Sequence, residues 1–199
     1  MSTKDFLKKI KDEDIEYVDV RFTDTRGKLQ HVTIVSDLVD EDFVEEGFMF
    51  DGSSIAGWKS IEASDMKLML DTDTAYVDPF YAEKTICVHC SVVEPDTGEA
   101  YERDPRGTAQ KAEAYLKASG IGDVAYMGPE AEFFLFDNVK FSNSINKVSY
   151  EVDASDASWN TDTDYEMGNM GHRPGLKGGY FPVNPTDEAQ DLRAEMLST

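Results

Sequence analysis

Two β-branched, aromatic runs, Tyr17 to Phe22 and Leu29 to Val35, flank Asp24-Thr25-Arg26-Gly27, and no other stretch constrains the fold as tightly. Asp24 and, three residues on, Gly27 are turn-forming residue types between two strand-like runs, so the runs predict a β-hairpin. Before it, Ser2 to Lys11 reads as a short helix, with Ser2 as its cap and Phe6, Leu7 and Ile10 on one face. After it, a second helix is expected with Ser36 as cap, Leu38, Val39 and Phe43 as the apolar face, and Gly47 as terminator. Met66, Leu68 and Leu70 alternate with polar residues, Thr85 to Val93 makes a further strand, and Asp96-Thr97-Gly98 is another turn. Hairpin, helix and strands within about a hundred residues predict a small α+β domain.

A boundary is expected near Arg103, giving domains 1–103 and 104–199. Asp104 and Pro105 open a helix as cap and first-turn proline. Ala109, Ala112 and Leu116 are its inward positions and Gly120 its stop. Val124 to Phe136 reads as a strand, and Lys147 to Val152 as another. Asp153 to Gly179 is rich in Asp, Asn, Thr and Gly and reads as a long functional loop. Thr186 and Asp187 can cap a last helix with Ala189, Leu192 and Met196 on one face. That pattern still runs at Thr199, so the second domain is expected to be incomplete.

Composition narrows the class of partner. With 40 acidic against 19 basic residues the net charge is −21, which repels phosphate backbones and anionic lipid, so nucleic acid and membrane are poor partners. No apolar run approaches the roughly 20 residues of a membrane span, and Met1-Ser2-Thr3-Lys4-Asp5-Phe6 lacks a secretory h-region. Two cysteines are too few for a secreted disulfide scaffold, so the expected location is cytoplasmic. Cys87 and Cys90 lie in a β-branched run, where positions three apart face opposite sides. A structural reading is therefore favoured over a zinc or redox pair.

Three clusters carry candidate chemistry. In Met127-Gly128-Pro129-Glu130-Ala131-Glu132-Phe133-Phe134-Leu135-Phe136, strand geometry puts Glu130 and Glu132 on one face, about 7 Å apart. Carboxylates in a strand so apolar are costly unless compensated, and divalent cations compensate them while bridging to phosphate. Spacing alone leaves open a solvent-facing edge with salt bridges. In Phe48 to Trp58, glycines loosen a loop anchored by aromatic residues; Asp51 can take a proton or hold a cation, and Ser54 can orient either. An ordinary Asx turn fits the same residues. In His172 to Val183, glycines beside Lys177 suggest a phosphate cradle, although the P-loop spacing is absent.

Together, Phe50-Asp51-Gly52-Ser53-Ser54, Gly128-Pro129-Glu130-Ala131-Glu132-Phe133-Phe134-Leu135 and Lys177-Gly178-Gly179-Tyr180-Phe181-Pro182 resemble the bacterial type I glutamine synthetases, in order and interval. The resemblance implies an N-terminal β-grasp domain, then the start of a catalytic half-barrel of antiparallel strands. It implies glutamate–ammonia ligation driven by ATP through γ-glutamyl phosphate, with two Mg²⁺ or Mn²⁺ ions. Carried over residue by residue, Glu130 and Glu132 match the metal-ligating glutamates, Asp51 the aspartate that binds and deprotonates ammonium, Ser54 its neighbouring serine, and Tyr180 a tyrosine of the ammonium pocket. The resemblance further implies a homo-oligomer of two stacked hexameric rings. In it the Asp51 loop reaches the catalytic domain of the next subunit, Trp58 lies in that inter-subunit region, and the stretch from Asp153 to His172 resembles the loop that projects towards the central channel. The remaining metal ligands, the arginines for glutamate and phosphate and most of the nucleotide pocket are expected beyond Thr199, so the isolated chain is expected to be inactive. Two alternatives stay open: a γ-glutamyl ligase acting on polyamines or other amines, and a short non-catalytic interaction subunit.

Overall fold

A computed structural model describes residues 1–155, 157, 159, 173–175 and 181–199. The chain divides into two compact units, Met1–Met127 and Gly128–Thr199.

The first unit is built on the expected hairpin. Strand β1 (Tyr17–Thr23) pairs antiparallel with β2 (Leu29–Val35) in the register Val20 to Val32. The reversal is held by Asp24, whose carboxylate accepts from the Arg26 and Lys28 amides at 2.8 and 2.9 Å and from the Gln30 amide at 3.0 Å. Gly27 supplies the positive φ of 81°. Three more strands complete a five-stranded sheet of order β2-β1-β5-β4-β3: β3 (Phe48–Asp51), β4 (Asp65–Asp78) and β5 (Thr85–Val93). Strand β5 runs parallel to β1 and antiparallel to β4, and β3 runs antiparallel to β4.

Alternation sorts the sheet into an apolar and a polar face. Val18, Val20 and Phe22 of β1 and Ile86, Val88, Cys90 and Val92 of β5 enter one core with Met66 and Leu68 of β4. Helix α1 (Thr3–Asp12) adds Phe6 and Ile10 to that core. Its cap is Ser2, which accepts from the Asp5 amide, as the sequence predicted. Each such side chain, fully buried, contributes about 1.5–3 kcal/mol. Cys87 sits on the other face, beside Asp19 and Asp78, so the two cysteines do point apart; both thiols are free and buried.

The second helix starts later than expected. Ser36–Leu38 forms only a single 3-10 turn, and helix α2 spans Glu41–Glu46. Asp40 is the cap, accepting from the Phe43 amide at 2.8 Å, with Glu41 and Asp42 in the first turn complementing the helix dipole. Val39 is buried ahead of the helix, whereas Leu38 is exposed. Gly47 does terminate it, at φ 82°, and a Cβ there would lie 2.5 Å from the Leu68 carbonyl oxygen. Only glycine fits.

Helix α3 (Pro105–Ser119) has the predicted cap, Asp104, which accepts from the Arg106 amide, and the predicted stop at Gly120 in the left-handed region. Asp104 also accepts from the buried Val92 amide at 3.0 Å, and Arg106 pairs with Asp71, so the first turn is tied to the sheet. The inward face expected further along is corrected: Ala109 and Ala112 are exposed and Leu116 is half-buried.

The expected strand over 124–136 is replaced by chain without regular secondary structure. A long apolar run becomes a strand only where a neighbouring backbone takes its amides and carbonyls, and no ladder is formed with it among the described residues. Hairpin β6 (Asn138–Ser144) and β7 (Lys147–Asp153) follows, paired in the register Phe141 to Tyr150. The second strand was legible in the sequence; the first was not. Helix α4 (Gln190–Ser198) closes the described chain. Asp187 accepts from the Ala189 amide at 3.0 Å and pairs with Arg193, while Leu192 and Met196 stay exposed.

Candidate functional site

Asp51 is the last residue of β3, held in the ladder opposite Asp65. The chain then makes a single 3-10 turn, Gly52–Ser54, in which the Gly52 amide donates to the Ser64 carbonyl at 2.7 Å. Gly52 is wedged against Met66: a Cβ would come within 2.4 Å of its sulfur. The Asp51 carboxylate accepts from the Ser53 amide at 2.8 Å and the Ser53 hydroxyl at 2.6 Å, with the Ser54 hydroxyl at 3.5 Å. The Ser53 hydroxyl, and then its amide, hold the Asp51 carboxyl below the usual carboxylate range. It is thus an exposed anion flanked by two hydroxyls, a group able to hold a small cation and accept a proton from it. Sequence reasoning named Ser54 as the partner; Ser53 makes the closer contact, through the short Asx turn that was the alternative reading.

An aromatic cluster carries the loop. Trp58 is buried, its ring 5.5 Å from Phe22, 6.3 Å from Phe50 and 5.3 Å from Tyr101. The Tyr101 hydroxyl donates to the Trp58 carbonyl at 2.9 Å, and the Arg103 guanidinium to the carbonyls of Gly57 and Trp58. Lys59 pairs with Glu94 at 2.7 Å and lies 5.2 Å over the Tyr101 ring.

Glu130 and Glu132 belong to the second unit, in the unpaired stretch ahead of β6, and both are exposed. The expectation that burial makes these carboxylates costly is corrected: Phe133, Phe134, Leu135 and Phe136 around them are 44–86% exposed. Phe134 and Phe136 stack with ring centroids 6.0 Å apart, so residues two apart share a side there. Among the described residues, no group of three or more His, Cys, Asp or Glu side chains is gathered to hold a metal. Two carboxylates supply hard oxygen donors, the right class for Mg²⁺ or Mn²⁺, but fewer than the six oxygens such an ion takes. Tyr180, His172 and Lys177, and most of the predicted channel loop, lie outside the described residues.

One polar cluster had no signal in the sequence beyond single charged residues in strands. On the polar face of the first sheet, Asp19 is fully buried and accepts from Arg21, His31 and Thr33, each at 2.7 Å. Arg21 also reaches Asp78 at 3.0 Å and the Tyr76 hydroxyl at 2.6 Å. Burial pushes the Asp19 carboxyl up, but its three hydrogen bonds outweigh this and the net displacement is downward. The charges satisfy one another, which makes the cluster a brace across β1, β2 and β4.

The family model described as glutamine synthetase, beta-grasp domain, matches residues 14–95, and that described as glutamine synthetase, catalytic domain, matches residues 102–199. The chain is 75% identical over 195 residues to a glutamine synthetase of Cereibacter sphaeroides, covering 98% of this chain and 42% of that one. It is 71% identical to one of Rhodobacter capsulatus, covering 100% and 45%. A Plasmodium falciparum glutamine synthetase solved by cryo-electron microscopy shares the fold at TM-score 0.79 and 22% identity, over 98% of this chain and 39% of that one. The chain thus spans less than half the length of these relatives. Among the described residues no helix is long and apolar enough to cross a membrane.

Proposed function

The chain belongs to the glutamine synthetase family, and we propose from that premise that the complete protein joins ammonia to the γ-carboxyl of glutamate, driven by ATP through γ-glutamyl phosphate. The observation that carries the reading is the high identity to named glutamine synthetases across 98% of the chain. The geometry at Asp51 supports it. Ammonium must be held by an anion and oxygen-bearing groups, then give up a proton so that the neutral amine can attack. A carboxylate kept ionised by the Ser53 amide and hydroxyl, and left exposed, suits the first task; it is also in the unprotonated form that can take a proton, although the bonds that keep it ionised weaken it as a base. Ser54 is proposed to orient the bound cation; Tyr180, proposed as a further residue for ammonium, lies outside the described residues.

Glu130 and Glu132 are the residues proposed to hold Mg²⁺ or Mn²⁺, one ion each. Ions held by these carboxylates would supply charge neutralisation for a transferred phosphate, a group that needs positioning more than covalent help. Further oxygen donors come from groups outside this chain's described residues, including phosphate and water. The protein is proposed to work as a homo-oligomer of hexameric rings in the cytoplasm, with the Asp51 loop serving a neighbouring copy.

The test is turnover of the complete gene product with ammonium and with putrescine. Glutamine and ADP should form with ammonium. Preference for putrescine would assign the protein to the γ-glutamyl-polyamine reaction instead.

A further inference from the structure

We propose that Tyr101 and Arg103 are positioning residues for the Asp51 turn, acting through the main chain of Gly57 and Trp58. The inference rests on the reading of Asp51 as the ammonium-binding carboxylate.

The loop is pinned at two ends and exposed between them. At its start, β3 and the bond from the Gly52 amide to the Ser64 carbonyl fix the backbone of Asp51. The carboxylate itself takes its orientation from Ser53 and Ser54. Those serines sit in a relay of short turns: the Ile55 amide donates to Gly52, and the Trp58 amide donates to Ile55. Ser54, Ala56 and Gly57 have exposed surfaces and contribute little burial of their own. The relay therefore depends on its far end.

That end is clamped by side chains from the segment after β5. Tyr101 is 4% exposed and donates to the Trp58 carbonyl, while Arg103 spans the Gly57 and Trp58 carbonyls. Burial pushes the Tyr101 phenol up, so it remains a protonated donor at neutral pH. The Trp58 indole N–H is buried without an acceptor, so the tryptophan is held by its ring faces and its carbonyl. Tyr101 and Arg103 also lie where the two family models adjoin, at residues 95 and 102. The same short segment thus lies at the junction of the two family-model matches and holds the turn that presents Asp51.

The experiment measures steady-state kinetics of the complete protein carrying Tyr101→Phe, Arg103→Met or Asp51→Asn, with KM for ammonium, glutamate and ATP and the thermal midpoint recorded for each. Loss of one hydrogen bond in Tyr101→Phe, and of two in Arg103→Met, predicts a rise in the ammonium KM of about fivefold or more. The KM values for ATP and glutamate and kcat at saturating ammonium should stay within about twofold. Arg103→Lys, which keeps one donor, should recover part of the loss. An unchanged ammonium KM in both variants beside an impaired Asp51→Asn overturns the positioning role alone. Parallel rises for all three substrates with a lowered midpoint also overturn it, by showing a merely structural role. An Asp51→Asn protein with normal ammonium kinetics overturns both this inference and the ammonium reading beneath it.

Discussion

Phe134 and Phe136 stack with their planes 7° from parallel, although the stretch that carries them pairs with no other strand among the described residues. Two residues apart and on one side, they keep the alternation that the sequence implied for a strand. What is missing is the neighbouring backbone that turns alternation into a ladder. The same period assigned Glu130 and Glu132 a common side, and it is the periodicity, not burial, on which their proposed shared role rests.

The Asp51 carboxyl lies below its usual range, so its charged form persists as pH falls towards that range. Its own titration should add no limb to the rate profile above about pH 5. Asp51→Asn should lower kcat/KM for ammonium by about 10²–10⁴-fold, the usual worth of a positioned base. Initial rates of the complete protein between pH 5 and 9 check both statements.

Asp19 offers a test of stability. Its folded-state pKa is depressed by Arg21, His31 and Thr33 against the opposing effect of burial, so the unfolded state binds protons more readily. The stabilisation it provides is therefore present above its unfolded pKa, about 4, and is lost as pH falls through the lower folded value. Thermal melts from pH 7 to 2 should show a steep acid limb. Asp19→Asn should flatten that limb while lowering the midpoint at neutral pH.

Burial pushes the Cys87 thiol up to about 11 and the Cys90 thiol up to about 12. Neither is a thiolate at neutral pH, and both are screened from solvent. A chromogenic disulfide reagent should find no reactive thiol in the native protein and both after unfolding. Rapid native labelling would contradict the placement of β5.

Gly47→Ala should destabilise the first unit by about 1–3 kcal/mol, because the residue sits at φ 82° with its Cβ position overlapping the Leu68 carbonyl. Urea unfolding measures this. Gly98→Ala, at φ 68° with open space around it, should cost less.

The first unit was largely legible in the sequence because its signals are local. Asp24-Thr25-Arg26-Gly27, the Ser2 cap, the Asp104-Pro105 opening and the glycine stops each act within a few residues, and each is found as predicted. The displaced start of α2 shows where local signals compete: Asp40, with acidic residues in the following turn, outcompetes Ser36. Strand β3 and the Asp19 brace were not legible, since β3 pairs with residues 14 or more away and the brace needs both the β2 residues His31 and Thr33 and Asp78, 57 residues beyond Arg21. In the second unit the apolar positions were readable but their partners were not. The run ending at Phe136 and the face of α4 therefore stay exposed among the described residues.

Divalent-cation binding tests the central reading most directly. Titration calorimetry of the complete protein with Mn²⁺ should give two sites per subunit, and Glu130→Gln and Glu132→Gln should each weaken one of them by about tenfold or more. Wild-type affinity at both sites in the double variant would contradict the assignment of these glutamates as metal ligands.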